Sequence, residues 1–255
     1  MKAIAKFLAI VALMLGAGTA RAAPSFLVVD LDTNKVVHES GPESPRSIAS
    51  ITKMMTAVTV LELNLNLNEE IAISRQDFVS STAVAGFKSL SRRELLLLAL
   101  IKSDNGAAHA LARSYPGGYA AFIAEMNRIA RVRIGMNKTY FVDSSGLAAG
   151  NKSTPSDLIK LVIYGQQFRF IREASDMTTV TVGRRMYNST NRMLRAGWDI
   201  VVAKTGLTRA AGQCYVAIWR EGTHTLGIVV LGSNNRWRDT VSLRTKVLGT
   251  LRSGQ

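Results

Sequence analysis

The chain has 255 residues, 47% of them hydrophobic, with 32 Lys and Arg against 18 Asp and Glu for a formal net charge of +14. That length is enough to bury a large core in one or two lobes. The single cysteine, Cys214, excludes an intrachain disulfide, and His38, His109 and His224 stand in no Gly-x-Ser-x-Gly or His-Glu-x-x-His setting, so a histidine triad and a zinc site lack their parts.

The first residues carry Lys2 and Lys6, an apolar run from Phe7 to Leu15, and small residues ending in Ala20-Arg21-Ala22. This pattern predicts a signal peptide over 1–22, cut near Ala22, with 23–255 as one exported domain. The apolar run is too short to span a bilayer comfortably, and no amphipathic anchor is evident, so no stable membrane anchor is expected. The protein stays strongly basic once Lys2, Lys6 and Arg21 are removed. With no nucleic-acid motif and an export signal, the partner this charge suggests is a polyanion outside the cytoplasm, and a basic surface serving only solubility is its plain alternative.

Phe26 to Asp30 and Lys35 to His38 read as strands around a turn at Asp32-Thr33-Asn34. Ile51 to Leu61 has Ile51, Met54, Met55 and Val58 at helical spacing with no Gly or Pro. Asn64 to Ile73 is Asn-rich and partly extended. Ser91-Arg92-Arg93-Glu94 is a capping box opening a helix through Leu95 to Ile101. Tyr119 to Arg131 reads as another helix, and Thr154-Pro155-Ser156-Asp157 starts one ending near Gly165. After Met177 the pattern turns to strands, with Ile200 to Ala203, Gln213 to Arg220 and Thr225 to Leu231 successive and antiparallel. A helix from Asp239 to Leu251 closes the chain and packs on the sheet. Cys214 reads as a small buried strand residue and His109 as a surface helix histidine.

Three short motifs carry the chemistry. Ser50-Ile51-Thr52-Lys53 is the chain's sole Ser-x-x-Lys, and i and i+3 share a helix face, so Lys53 can reach the Ser50 hydroxyl and act as its base if burial or a second cation lowers its pKa. Alone, the pair also fits an N-cap beside a solvated charge. Ser103-Asp104-Asn105 is weaker, because Ser-x-Asn recurs at Ser189-Thr190-Asn191 and Ser233-Asn234-Asn235, where a capping turn explains it. Lys204-Thr205-Gly206 ends an apolar run, and a lysine there needs a partner or a task.

The ordered triple resembles the active-site set of penicillin-binding proteins and class A β-lactamases. Over essentially the whole mature chain the sequence is similar to the low-molecular-mass DD-peptidases, the penicillin-binding serine carboxypeptidases and endopeptidases of bacterial walls. Lys204 to Thr208, Ala210 to Cys214 and Ser153 to Leu158 look most like the DD-endopeptidase branch. The resemblance implies the two-lobed α/β (α+β) penicillin-recognising fold, an antiparallel sheet flanked by helices plus a helical lobe, without a C-terminal β domain. It implies a periplasmic enzyme that uses no metal or other cofactor, acts on peptidoglycan peptides and is acylated by β-lactam antibiotics. Ser50, Lys53 and Ser103 would be nucleophile, base and proton relay. Asn105, Lys204, Thr205, Gly206, Leu207 and Arg238 would bind substrate, with Arg236 close by as the other arginine for the carboxylate, the Ser50 and Leu207 N–H groups as oxyanion hole and Lys204 depressing the Lys53 pKa. Trimming a terminal D-Ala is the alternative to cutting a cross-link. A β-lactamase is disfavoured because Phe141-Val142-Asp143-Ser144-Ser145-Gly146 stands where Glu-x-x-Leu-Asn would activate the deacylating water. A non-catalytic wall-binding module is disfavoured by the intact nucleophile, base and relay.

Overall fold

The computed structural model describes residues 23–80 and 83–253, so the predicted signal peptide lies outside the described residues. Its centre is an antiparallel sheet built from β1 (Ser25–Asp30), β2 (Lys35–Ser40), β3 (Asp199–Thr208), β4 (Gly212–Glu221) and β5 (His224–Ser233), in the order β2-β1-β5-β4-β3. β1 pairs along its whole length with β5, Ser25 opposite Leu231 and Asp30 opposite Leu226. The first and last strands of the described residues thereby lie side by side in one sheet.

Both faces of the sheet are covered, and the side-chain alternation of β4 shows how. Cys214, Val216 and Ile218 point to the larger core with Ile48, Met54 and Leu158, while Tyr215, Ala217 and Trp219 point to the opposite face with Leu243 and Val247. The two largest of these, Tyr215 and Trp219, are almost wholly buried, each contributing about 2–3 kcal/mol of apolar burial. A register shift beside Ile218 and Trp219 lets Ile200 and Ala203 of β3 share a face although three residues apart.

The helical lobe comprises α1 (Thr52–Glu62), α2 (Arg92–Leu97), α3 (Asn105–Arg113) and α4 (Gly118–Ile129). α2 begins at the expected capping box, with the Ser91 N–H donating to Glu94 at 2.8 Å and the Glu94 N–H donating to Ser91 Oγ at 3.3 Å. It then widens into a π-turn, Leu98–Lys102. α5 (Pro155–Gly165) has Pro155 in its first turn and the Thr154 hydroxyl accepting from the Asp157 N–H. α6 (Arg169–Asp176), which periodicity did not suggest, precedes a hairpin of Thr179–Val182 with Arg185–Asn188 and the short α7 (Arg192–Arg195). α8 (Arg236–Ser253) starts three residues before its expected point and packs on the outer face of the sheet. Among the described residues no helix is long and apolar enough to cross a membrane.

Two readings change. β3 does not stop at Ala203 but runs through Lys204-Thr205-Gly206 to Thr208, because β4 keeps pairing with it up to Gly212 opposite Thr208. His109 is not a simple surface histidine. Its Nδ1 lies 2.8 Å from the buried Asp77 carboxylate, and its ring packs on Tyr119 with centroids 4.8 Å apart. Arg113 binds the same carboxylate at 2.8 Å and 3.0 Å. Burial pushes Asp77 up, but the bonds from His109, Arg113 and Ser74 outweigh it and hold the carboxyl well below the ordinary range.

Candidate active site

Ser50 sits in a single 3-10 turn, Ala49–Ile51, that runs directly into α1, so Lys53 lies one turn along and faces it. Lys53 is fully buried, and its Nζ is 3.0 Å from Ser50 Oγ, 2.7 Å from Asn105 Oδ1 and 2.6 Å from the Ser145 carbonyl oxygen. Those are three acceptors around a group that has three N–H bonds when charged and two when neutral. With Asn105 and Ser145 holding the two hydrogens of the neutral amine, its lone pair is left for Ser50 Oγ. Burial lowers the Lys53 pKa to about 7, against the opposing pull of Asp104 and Asp143.

Ser103 occupies the left-handed region (φ 61°) between the π-turn and α3. That conformation costs a non-glycine residue about 1–2 kcal/mol and is held from both sides. The Asp104 N–H donates to Leu98 O at 3.0 Å, and Asp104 caps α3 by accepting from the Ala107 N–H at 2.8 Å. The strained residue turns Ser103 Oγ to Lys204, whose Nζ donates to it at 2.9 Å and to Thr205 O at 3.0 Å. Lys204 is 1% exposed, and burial first, then Lys53 and Arg236, push its pKa well below the ordinary value. Burial is thus the leading cause on both amines, and the repulsion between the two cations adds to it.

Ser50, Ser103, Asn105, Leu147, Thr190, Thr205, Gly206, Leu207 and Arg236 line one open cleft of 280 Å³. Of the residues expected from sequence, Lys53 and Lys204 lie buried beneath it and Arg238 does not reach it. Arg238 is 72% exposed on α8 and pairs with Asp239 at 3.2 Å. The arginine at the cleft is Arg236, whose Nη1 donates to the carbonyls of Gly206 and of Cys214, the latter at 3.1 Å. Two positions apart on a helix are roughly 200° apart around it, so the pair cannot share a face.

Thr190 and Leu147 were also missed. Thr190 Oγ1 lies 2.7 Å from Thr205 Oγ1, and its N–H donates to Ile101 O at 3.1 Å, tying the helical lobe to β3. The signal available in the sequence is the Ser-x-Asn pattern at Ser189 to Asn191, which a capping turn also satisfies. Asp30, Asp32 and His224 could in principle share a cation, their ligand atoms lying within 4.8 Å of one another. They sit at the hairpin end of β4, opposite the cleft end, and their oxygens already accept from the Asp32, Thr33 and Thr225 N–H groups.

Residues 16–235 match the model of the D-alanyl-D-alanine carboxypeptidase family, peptidase S11. The chain belongs to this family. Its serine peptidases are hydrolases, which agrees with a serine, two buried amines and a second hydroxyl around one cleft. The chain is 39% identical to the D-alanyl-D-alanine endopeptidase of Escherichia coli K12 over 241 residues, covering 88% of this chain and 76% of that one. It is 28% identical to the D-alanyl-D-alanine carboxypeptidase of Streptomyces sp. K15, covering 87% and 89%. The cefotaxime-bound penicillin-binding protein D2 of Listeria monocytogenes superposes with a TM-score of 0.79 at 29% identity, covering 88% of this chain and 96% of that one. The penicillin-binding α/β fold expected from the motifs is therefore the fold observed.

Proposed function

We propose that this S11 peptidase is an exported DD-endopeptidase that cuts D-Ala cross-links in peptidoglycan through a Ser50 acyl-enzyme. The observation that carries the chemistry is the contact of a fully buried Lys53 amine, its pKa lowered to about 7, with Ser50 Oγ at 3.0 Å. The similarity to endopeptidases, closer than to the carboxypeptidase, favours cutting over trimming.

In this reading Lys53 takes the hydroxyl proton as Ser50 Oγ bonds to the D-Ala carbonyl carbon. The backbone N–H groups of Ser50 and Leu207 receive the oxyanion. The C–N bond then breaks, and Ser103, supported by Lys204, relays to the leaving amine the proton that Lys53 took from Ser50, so that the base is neutral again. Asn105 holds the substrate amide and one Lys53 hydrogen, and Thr205 and Arg236 receive the carboxylate beside the scissile bond. Water cleaves the ester and returns Ser50. β-Lactams would stop at the acyl stage. Residues 1–22 are the export signal of this reading and the periplasm its destination.

Digestion of a cross-linked muropeptide dimer tests the substrate. Monomers without free D-Ala are the expected product, while release of terminal D-Ala from uncross-linked pentapeptides, with intact dimers, would assign a carboxypeptidase. Arg236→Leu should lower kcat/KM for such substrates about 10–100-fold, the worth of a charge-assisted hydrogen bond, and Arg238→Leu should leave it within about twofold. The opposite ranking would restore Arg238 to the site.

A further inference from the structure

The loop from Asp143 to Ala148 overlaps the stretch 141–146 that carries no Glu-x-x-Leu-Asn element, and the active site described above uses only its Ser145 carbonyl and Leu147. One carboxylate closes this loop. Asp143 Oδ1 accepts from the N–H of Ser145 at 2.7 Å and of Gly146 at 2.5 Å, and from Ser145 Oγ at 3.2 Å. Its Oδ2 accepts from the Ala148 N–H at 2.7 Å. Asn151 Oδ1 pins the entry to the loop through the N–H groups of Val142 and Asp143. So fastened, the loop presents the Ser145 carbonyl to Lys53, presents the Ser144 carbonyl to Thr56 Oγ1 at 2.6 Å, and places Leu147 in the cleft.

We infer that Asp143 is a positioning residue for the general base, holding the Ser145 carbonyl against Lys53 Nζ and supplying negative charge to the buried amine. It does not activate water itself. Both oxygens are engaged by the loop, and Asp143 is not among the residues lining the cleft. The groups around Lys53 divide by sign. Asp104 at the head of α3 and Asp143 favour its charged form, the Lys204 amine on β3 with Arg236 behind it opposes that form whenever it is protonated, and Ser50 and Asn105 are neutral acceptors. A loop holding the carbonyl without the charge would leave Asp104 to favour the charged amine against burial.

This inference rests on Lys53 being the base, and two substitutions separate the parts. Acylation by a fluorescent penicillin would be followed from about pH 5 to about pH 9 in wild type, Asp143→Asn and Asp143→Ala, with thermal melting as a check on folding. Asparagine keeps an acceptor for the Ser145 and Gly146 N–H groups but no charge. Its acid limb should move down by roughly half a pH unit, so that relative to its own plateau it acylates better than wild type below neutrality. Asp143→Ala loses the fastening as well, and its plateau rate should fall about 10–100-fold. A loop of purely structural importance would scale the rate equally at every pH. An unmoved limb in Asp143→Asn overturns the charge role, and an undiminished plateau in folded Asp143→Ala overturns the positioning role. If wild type has no limb near neutrality, or Lys53→Met acylates as fast as wild type, the base assignment itself fails, an outcome distinct from either.

Discussion

Lys53→Met should acylate with benzylpenicillin about 10³-fold more slowly than wild type, within the range of about 10²–10⁴ carried by a positioned general base. Intact-mass spectra over time measure it, and Ser50→Ala, which has no nucleophile, marks the zero. The wild-type rate should climb as pH rises through about 7, because only neutral Lys53 can take the Ser50 proton and burial sets its pKa there. The same burial has a signature in stability. In the folded protein the Lys53 pKa is depressed from 10.5 to about 7, so the unfolded chain binds the proton more tightly between those values. Folding carries the full penalty below pH 7 and sheds it as pH rises toward 10.5, a change of roughly 5 kcal/mol at about 1.4 kcal/mol per pH unit. Methionine has no such proton. Loss of donors to Asn105 and Ser145 costs the variant a constant amount, so the diagnostic is the slope, with wild type gaining on Lys53→Met as pH rises. Denaturation curves that stay parallel across this window would mean that Lys53 is not buried as a neutral amine.

What the sequence reveals about such a site depends on how local each feature is. Ser50 and Lys53 are a single turn apart, and one helix periodicity suffices to bring them together. The Ser91 capping box and the Thr154-Pro155 start are equally local, and both helices begin there. The extent of β3 is not local. Thr205 and Gly206 carry no apolar signal, and they belong to the strand because β4, beyond the turn, continues to pair with them. The cleft residues that were missed come from the same cause. Thr190 matters through a hydroxyl contact with Thr205, and Leu147 through a loop fastened by Asp143, neither of which any periodicity encodes. Choosing between Arg236 and Arg238 required the starting residue of α8, and helix ends are where sequence patterns are least sharp. Asp77, which gathers Ser74, His109 and Arg113, lies in a short irregular stretch whose residues look like an ordinary surface turn.

Gly146→Ala should be the most disruptive methyl addition at the site, lowering both stability and acylation. Gly146 has φ +83°, and a Cβ there would overlap the Ala49 carbonyl oxygen and lie 2.9 Å from Ser50 N. These are backbone atoms of the nucleophile turn, which is itself packed against Gly206 of β3, so neither can step aside as a flexible side chain would. The left-handed backbone adds about 1–2 kcal/mol and the forced displacement about 1–3 kcal/mol. Together they should lower the melting temperature by roughly 10 °C, at about 2–4 °C per kcal/mol for a domain of this size. Because the displaced atoms carry Ser50, acylation should fall about 10²-fold, the usual consequence of a misplacement near 1 Å. Gly249→Ala is the matched control. It sits at an exposed position of α8 with no atom within 4 Å of an added Cβ, and alanine there should gain about 0.5–1 kcal/mol from helix propensity. If Gly146→Ala melts like wild type but acylates slowly, the loop has yielded by pushing Ser50 aside. If it matches wild type in both, the loop and the nucleophile turn are not in contact, and the fastening by Asp143 has no route to the reacting hydroxyl through Gly146.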